Sequence, residues 1–135
     1  NDTYFIDLTS KESFANEQTR VVKRYEGKIS DSVSSILTQI LKSTGQTLNI
    51  DSTAIPYNFI GNDRKPLYTC TWLAAKATPL SQGKGGGNSV GGAAGYLFFQ
   101  TRDGFNFRSI DKIFGDTVKK RYIYNNTGYC IYERN

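Results

Sequence analysis

The chain has 135 residues, 38% apolar and 21% charged, and carries 17 basic against 12 acidic side chains for a net charge of +5. That length suits one domain with a core of its own, and the balance excludes a disordered tail. The longest apolar runs, such as Tyr96-Leu97-Phe98-Phe99, are too short for a bilayer-spanning helix, and no stretch has the pattern of a signal peptide.

There is no methionine, and apolar sequence begins almost at the first residue. The chain therefore reads as one module, 1–135, excised from a longer protein, with a processed mature chain as the other reading. Tyr4-Phe5-Ile6-Asp7-Leu8 has the aromatic and β-branched character of a short strand. Thr9-Ser10-Lys11-Glu12 then offers a capping box, with Thr9 as N-cap and Glu12 reaching back, for a helix to about Glu17. Residues 19–25 read as another strand, closed by Gly27.

The clearest helix is expected over 31–44. Ser30 is the expected N-cap, and Asp31 suits the positive end of the helix dipole. Val33, Ile36, Leu37, Ile40 and Leu41 recur at helical spacing along one apolar stripe. Lys42 would sit in the last turn, and Gly45 would adopt the left-handed stop. A polar connection with a short apolar stretch, Ala54-Ile55-Pro56-Tyr57, leads to a second helix. That helix should start at Pro66, where a missing N–H costs nothing, run through Trp72-Leu73-Ala74-Ala75 and end before Pro79.

Residues 81–95 hold seven of the 13 glycines and read as a flexible loop. They form no phosphate loop, because neither GxxxxGK[ST] nor GxGxxG can be aligned there and Lys84 is followed by Gly85. Residues 96–100 and 105–108 then form the strongest hairpin signal, with Asp103-Gly104 at the turn. One face of it, Tyr96, Phe98, Phe105 and Phe107, can fill a core. Ser109 can cap a short helix over 110–114, stopped by Gly115, and residues 118–124 and 129–132 read as two last strands. The whole is an α+β fold, with two main helices packed on mixed or antiparallel sheet and an aromatic β-hairpin.

Chemistry is sparse. There is no histidine, which removes the usual general base, the commonest metal ligand and every Ser-His or Cys-His pair. Asp7, Asp31, Asp51, Asp103 and Asp111 are candidates for carboxylate acid–base work by residue type alone, and most have a local structural use as caps or turns. A Ser43–Lys42 dyad lacks the geometry, since adjacent helical positions do not face each other. Cys70 and Cys130 fit no CxxC motif and read as buried free thiols, a bridge between them being the alternative. Lys23-Arg24 and the run Lys119-Lys120-Arg121 read as solvated faces, with Arg24-Tyr25 and Arg121-Tyr122 the pairs that hint at the alternative, a basic and aromatic nucleic-acid surface. No catalytic, cofactor-binding or metal-binding residue is assigned, and no enzymatic activity or cofactor is expected.

Three stretches together carry a family resemblance. Residues 20–37 hold a strand, a Tyr-x-Gly-Lys-x-Ser-Asp turn (Tyr25, Gly27, Lys28, Ser30, Asp31) and an amphipathic helix; Lys65-Pro66 is followed by Thr71-Trp72-Leu73-Ala74; residues 94–111 centre on Tyr96-Leu97-Phe98-Phe99-Gln100-Thr101-Arg102-Asp103-Gly104-Phe105-Asn106-Phe107. In this order they resemble the baseplate hub proteins of contractile (myovirus) phage tails and, more distantly, the hub part of type VI secretion spikes. The hairpin is the most specific part, and the match spans residues 20–114, with 81–95 departing from the pattern. The resemblance implies a non-enzymatic virion structural protein of the phage tail, made in the host cytoplasm. It would be a fragment of a longer hub protein that self-associates, usually as a trimer, and joins tail tube to spike in a ring. Contact with nucleic acid would be transient at most. The competing expectation is a small basic and aromatic binding module for nucleic acid or carbohydrate, using its nine tyrosines. An assembly module should expose apolar edges, whereas a binder should expose a basic, aromatic surface.

Overall fold

The computed structural model describes residues 3–42, 46–80, 95–117, 120 and 122. In chain order the elements are α1 (Lys11–Gln18), β1 (Arg24–Tyr25), α2 (Ile29–Ser35, continued by a π-helical stretch Ile36–Ile40), β2 (Thr47–Ile50), β3 (Phe59–Ile60), α3 (Pro66–Ala74), β4 (Tyr96–Thr101), β5 (Gly104–Ser109) and α4 (Ile110–Phe114). The architecture is α+β, as the sequence leads one to expect. The expected loop apart from Gly95, the last two strands apart from residues 120 and 122, Gly45 and Cys130 lie outside the described residues.

The larger sheet has the order β2-β5-β4 and is mixed. β4 and β5 form the expected antiparallel hairpin, with Phe98 opposite Phe107 and Thr101 opposite Gly104. The turn differs in detail: Arg102 and Asp103 keep negative φ, and only Gly104 is positive, at 149°. A Cβ at Gly104 would lie 2.0 Å from the Thr47 carbonyl oxygen, so glycine lets β2 close against the hairpin end. β2 runs parallel to β5, pairing Leu48 with Phe105 and Ile50 with Phe107. Alternation turns Tyr96, Phe105 and Phe107 into the core together with half-buried Phe98, leaving Leu97 and Phe99 on the outer face. The inner rings stack diagonally, Tyr96 on Phe107 at 4.9 Å and Phe98 on Phe105 at 5.8 Å.

The stripe of α2 lies under this sheet. Val33, Ile36, Leu37 and Leu41 are buried, and Ile40 is half-buried. Burial of each such side chain stabilises the fold by roughly 1.5–3 kcal/mol. The helix starts at Ile29 with Lys28 as N-cap, two residues before the expected start, and Lys28 makes no side-chain capping bond. The Ser30 N–H instead donates to the hydroxyl of fully buried Thr53 at 3.2 Å. At the other end the Leu41 N–H donates to the Ile36 carbonyl, the wide π-type closure, and Lys42 takes the left-handed stop at φ 49°.

Helix α3 begins at Pro66 as expected, and its first turn is capped from outside. Buried Asn16 of α1 accepts the Leu67 N–H at 2.9 Å, and Glu17 pairs with Lys65 at 2.5 Å. That bond with Lys65 holds the Glu17 carboxyl below the usual range. The N-cap of α1 is Ser10 rather than Thr9, its hydroxyl accepting the Ser13 N–H at 3.1 Å.

One expected strand is not a strand. Residues 4–8 pair with nothing among the described residues, and Tyr4, Phe5, Ile6 and Leu8 are 81%, 94%, 80% and 91% exposed. Strand propensity describes a side-chain surface suited to a sheet and does not supply the partner. Among the described residues no helix is long and apolar enough to cross a membrane.

Candidate functional site

The most site-like feature lies where the strand after Tyr57 meets α3. β1 and β3 pair antiparallel, Arg24 with Ile60 and Tyr25 with Phe59, and a further bridge joins Val21 to Arg64. Three steps along one strand therefore face four along the other, which makes a bulge. Asn62 and Asp63 absorb the extra residue at φ 50° and 56°, and the Arg64 N–H closes the turn on the Gly61 carbonyl at 3.1 Å. Asn and Asp tolerate this left-handed region better than other non-glycine residues. Gly61 passes so close to Val21 that a Cβ would sit 2.1 Å from its carbonyl oxygen.

The bulge and α3 enclose a cleft of about 160 Å³, lined by Phe59, Ile60, Asn62, Arg64, Tyr68 and Trp72 among others. Its floor is an aromatic cluster. Phe59 stacks on Tyr25 at 5.0 Å, and Trp72 meets Phe59 and Tyr57 edge-on at 5.7 and 5.8 Å. At the rim the Arg64 guanidinium lies over the Tyr68 ring, 5.1 Å from its centre. Tyr68 and Ile60 stay exposed beside it, as does Val22 on the neighbouring strand. Such a cleft is open to solvent and offers a ring-sized seat, aromatic on one side and polar on the other at Asn62 and Thr69, with a cation at its edge.

A second polar cluster is structural in geometry. Asp51, buried at the end of β2, accepts the Ser109 N–H at 3.1 Å and pairs with Lys112 at 2.5 Å. The Arg108 Nε faces the same carboxylate at 3.8 Å, beyond hydrogen-bond reach, while its terminal nitrogens bind Asp116 at 2.6 and 3.2 Å. The bond with Asp116 raises the Arg108 pKa. The cluster ties α4 to β2 and β5. Beside it the Tyr96 hydroxyl donates to the Ser52 carbonyl at 2.7 Å, and burial, helped by the Asp51 charge, pushes its pKa up to about 12.

The other carboxylates do not gather there. Asp7 lies on the exposed N-terminal segment, Asp31 in the first turn of α2, Asp103 in the hairpin turn and Asp111 in the first turn of α4. Among the described residues no group of three or more acidic or thiol side chains could hold a metal ion. Cys70 is a buried free thiol whose pKa burial raises well above the usual value. Arg24 is exposed and pairs with Glu26 at 2.8 Å, while Tyr25 is buried against Phe59, so that pair does not form an open stacking platform. Arg64, Tyr68 and Asn62 were not singled out by sequence. The available signal was Gly61-Asn62-Asp63, turn residues directly after the apolar Phe59-Ile60.

No protein-family model, curated protein or solved structure matches this chain.

Proposed function

We propose that this chain is a non-catalytic assembly module, and that its setting is the hub of a contractile phage tail. The observation that carries the assembly part is the segment 4–8, where four large apolar side chains stand 80% or more exposed with no partner strand among the described residues. Scattered exposed apolar residues are ordinary on a protein surface, but a contiguous run marks a contact surface. Phe114 on α4 and Leu97 and Phe99 on the outer face of β4 add exposed apolar area elsewhere. Tyr25, buried against Phe59, gives the competing nucleic-acid reading no stacking platform beside Arg24, whereas exposed Tyr122 and Tyr68, the latter under Arg64, keep that reading as the alternative.

The hub setting is supported by the resemblance alone, and with it come a closed trimeric ring in the full-length protein, tube and spike neighbours, and a place in the virion. Rings satisfy every subunit through the same heterologous contact, which suits a chain with several unlike apolar surfaces. Solution mass of the full-length protein, alone and mixed with tube and spike components, tests it. A trimer that binds either neighbour is expected. A strictly monomeric full-length protein that binds neither defeats the hub assignment and favours the binding module.

A further inference from the structure

The segment 4–8 and the aromatic cleft have complementary chemistry, and from that pairing we propose that this segment of one copy docks in the cleft of a second copy. Phe5 fills the cleft and Asp7 meets Arg64. The inference rests on the assembly reading and names a partner for its exposed segment.

Size is the first ground. The cleft measures about 160 Å³, and an apolar cavity of about 150 Å³ holds one benzene ring. Phe5, at 94% the most exposed large apolar side chain among the described residues, brings a ring of that size. Spacing is the second. In extended chain, residues two apart share a face and lie about 6.6 Å from each other. Phe5 seated among Phe59, Trp72 and Tyr68 thus sets Asp7 near the rim, where Arg64 lies over Tyr68. Charge is the third. Among the described residues neither Asp7 nor the Arg64 guanidinium has an ion-pair partner, and stacking on Tyr68 already orients the guanidinium.

The occupant comes from a second copy because, within one copy, the segment stands clear of its own cleft. The end of α1 nearest the cleft is its C-terminus, where Asn16 and Glu17 bind Leu67 and Lys65 at the start of α3. Residues 4–8 leave from the opposite end of α1, and Phe5 stands 94% exposed rather than folded back into the cleft. Docking by Phe5 and Asp7 leaves Tyr4, Ile6 and Leu8 on the opposite face, available to further members of the assembly.

Trp72 is the only tryptophan in the chain and lines the cleft, so its fluorescence reports occupancy directly. The experiment follows solution mass and Trp72 emission of the whole chain over a concentration series. Self-association accompanied by a shift in emission is expected, and Phe5→Ala should abolish both. Asp7→Arg and Arg64→Asp should each weaken association tenfold or more, since they set like charges together. Mixing the two variants in equal amounts should restore association, because every arm then meets a cleft of opposite charge. Circular dichroism of each variant checks that it is folded. A wild-type chain that stays monomeric with constant emission to the limit of solubility overturns the proposal. So does association that neither charge variant weakens, or an emission change on deleting residues 1–8 with no change in mass, which would mean docking within one copy. If self-docking fails while the full-length protein still binds tube or spike components, only this contact falls. If both fail, the assembly reading falls with it.

Discussion

Asp51 is the residue whose removal should show most clearly how the sheet holds its last helix. Replacing it with alanine strands the buried Ser109 N–H, which now donates to the Asp51 carboxylate at 3.1 Å. An unsatisfied buried donor costs about 1–3 kcal/mol. The Lys112 ammonium adds little to that loss, since its side chain is 60% exposed and can turn to water. Arg108 keeps its two bonds to Asp116. The expected loss for Asp51→Ala is therefore about 2–3 kcal/mol, including the small void left behind. Asp51→Asn keeps an acceptor for Ser109 and should lose only about 1 kcal/mol, while Lys112→Ala should stay within about 0.5 kcal/mol. Urea unfolding gives all three, provided the m-value is unchanged. Equal losses for the alanine and asparagine variants would refute the role given to the Ser109 bond. A loss below about 0.5 kcal/mol for Asp51→Ala would refute the lock altogether.

Three further outcomes follow from the packing. Leu37→Ala or Ile36→Ala, both at 0% exposure, should cost about 2–5 kcal/mol in the same unfolding assay, and a change below about 0.5 kcal/mol would place them at the surface. Gly61→Ala should destabilise by more than about 1 kcal/mol, because the new methyl would press on the Val21 carbonyl, whereas Ala75→Gly on the exposed end of α3 should be mild. Stability should fall between about pH 10, where Tyr96 ionises in the unfolded chain, and about pH 12, its folded value, and be undiminished by this group below pH 10. The sign follows because the folded state holds the proton more tightly; buried Tyr25, also raised, adds a fall of the same sign, so a pH melt of Tyr96→Phe should show a smaller fall than the wild type.

The parts of the fold visible in sequence are those whose cause is local. Pro66 fixes the start of α3, Ser109 caps α4 through its own hydroxyl, and the alternation of Tyr96, Phe98, Phe105 and Phe107 selects the inner face of the hairpin. What sequence missed is decided by remote groups. Ser30 gives no cap to α2 because the helix starts before it, at Ile29, and its own N–H is a first-turn donor satisfied by Thr53, 23 residues on; Asn16 likewise serves α3 across 51 residues. Strand β2 is four residues long with a parallel partner more than fifty residues away, so no turn or period announces it. The cleft escaped for the same reason: its lining comes from a bulged strand and one face of α3, and only folding brings Arg64 over Tyr68 beside Trp72.

Residues 4–8 differ from all of these. Their strand chemistry is local and plain, yet the described structure gives them no strand. An apolar side chain left in water forgoes roughly 1.5–3 kcal/mol of burial, and four stand exposed together here. A lone exposed leucine has no such meaning, because more than half of any folded surface is apolar. On the assembly reading proposed above, a run that suits a sheet, has no strand partner among the described residues and joins directly onto a well-capped helix is a surface for a partner beyond this copy. The Ser10 cap fixes the first turn of α1 through the Ser13 N–H, so the root of the segment is anchored while its apolar side chains stand exposed, the arrangement that the proposed docking needs.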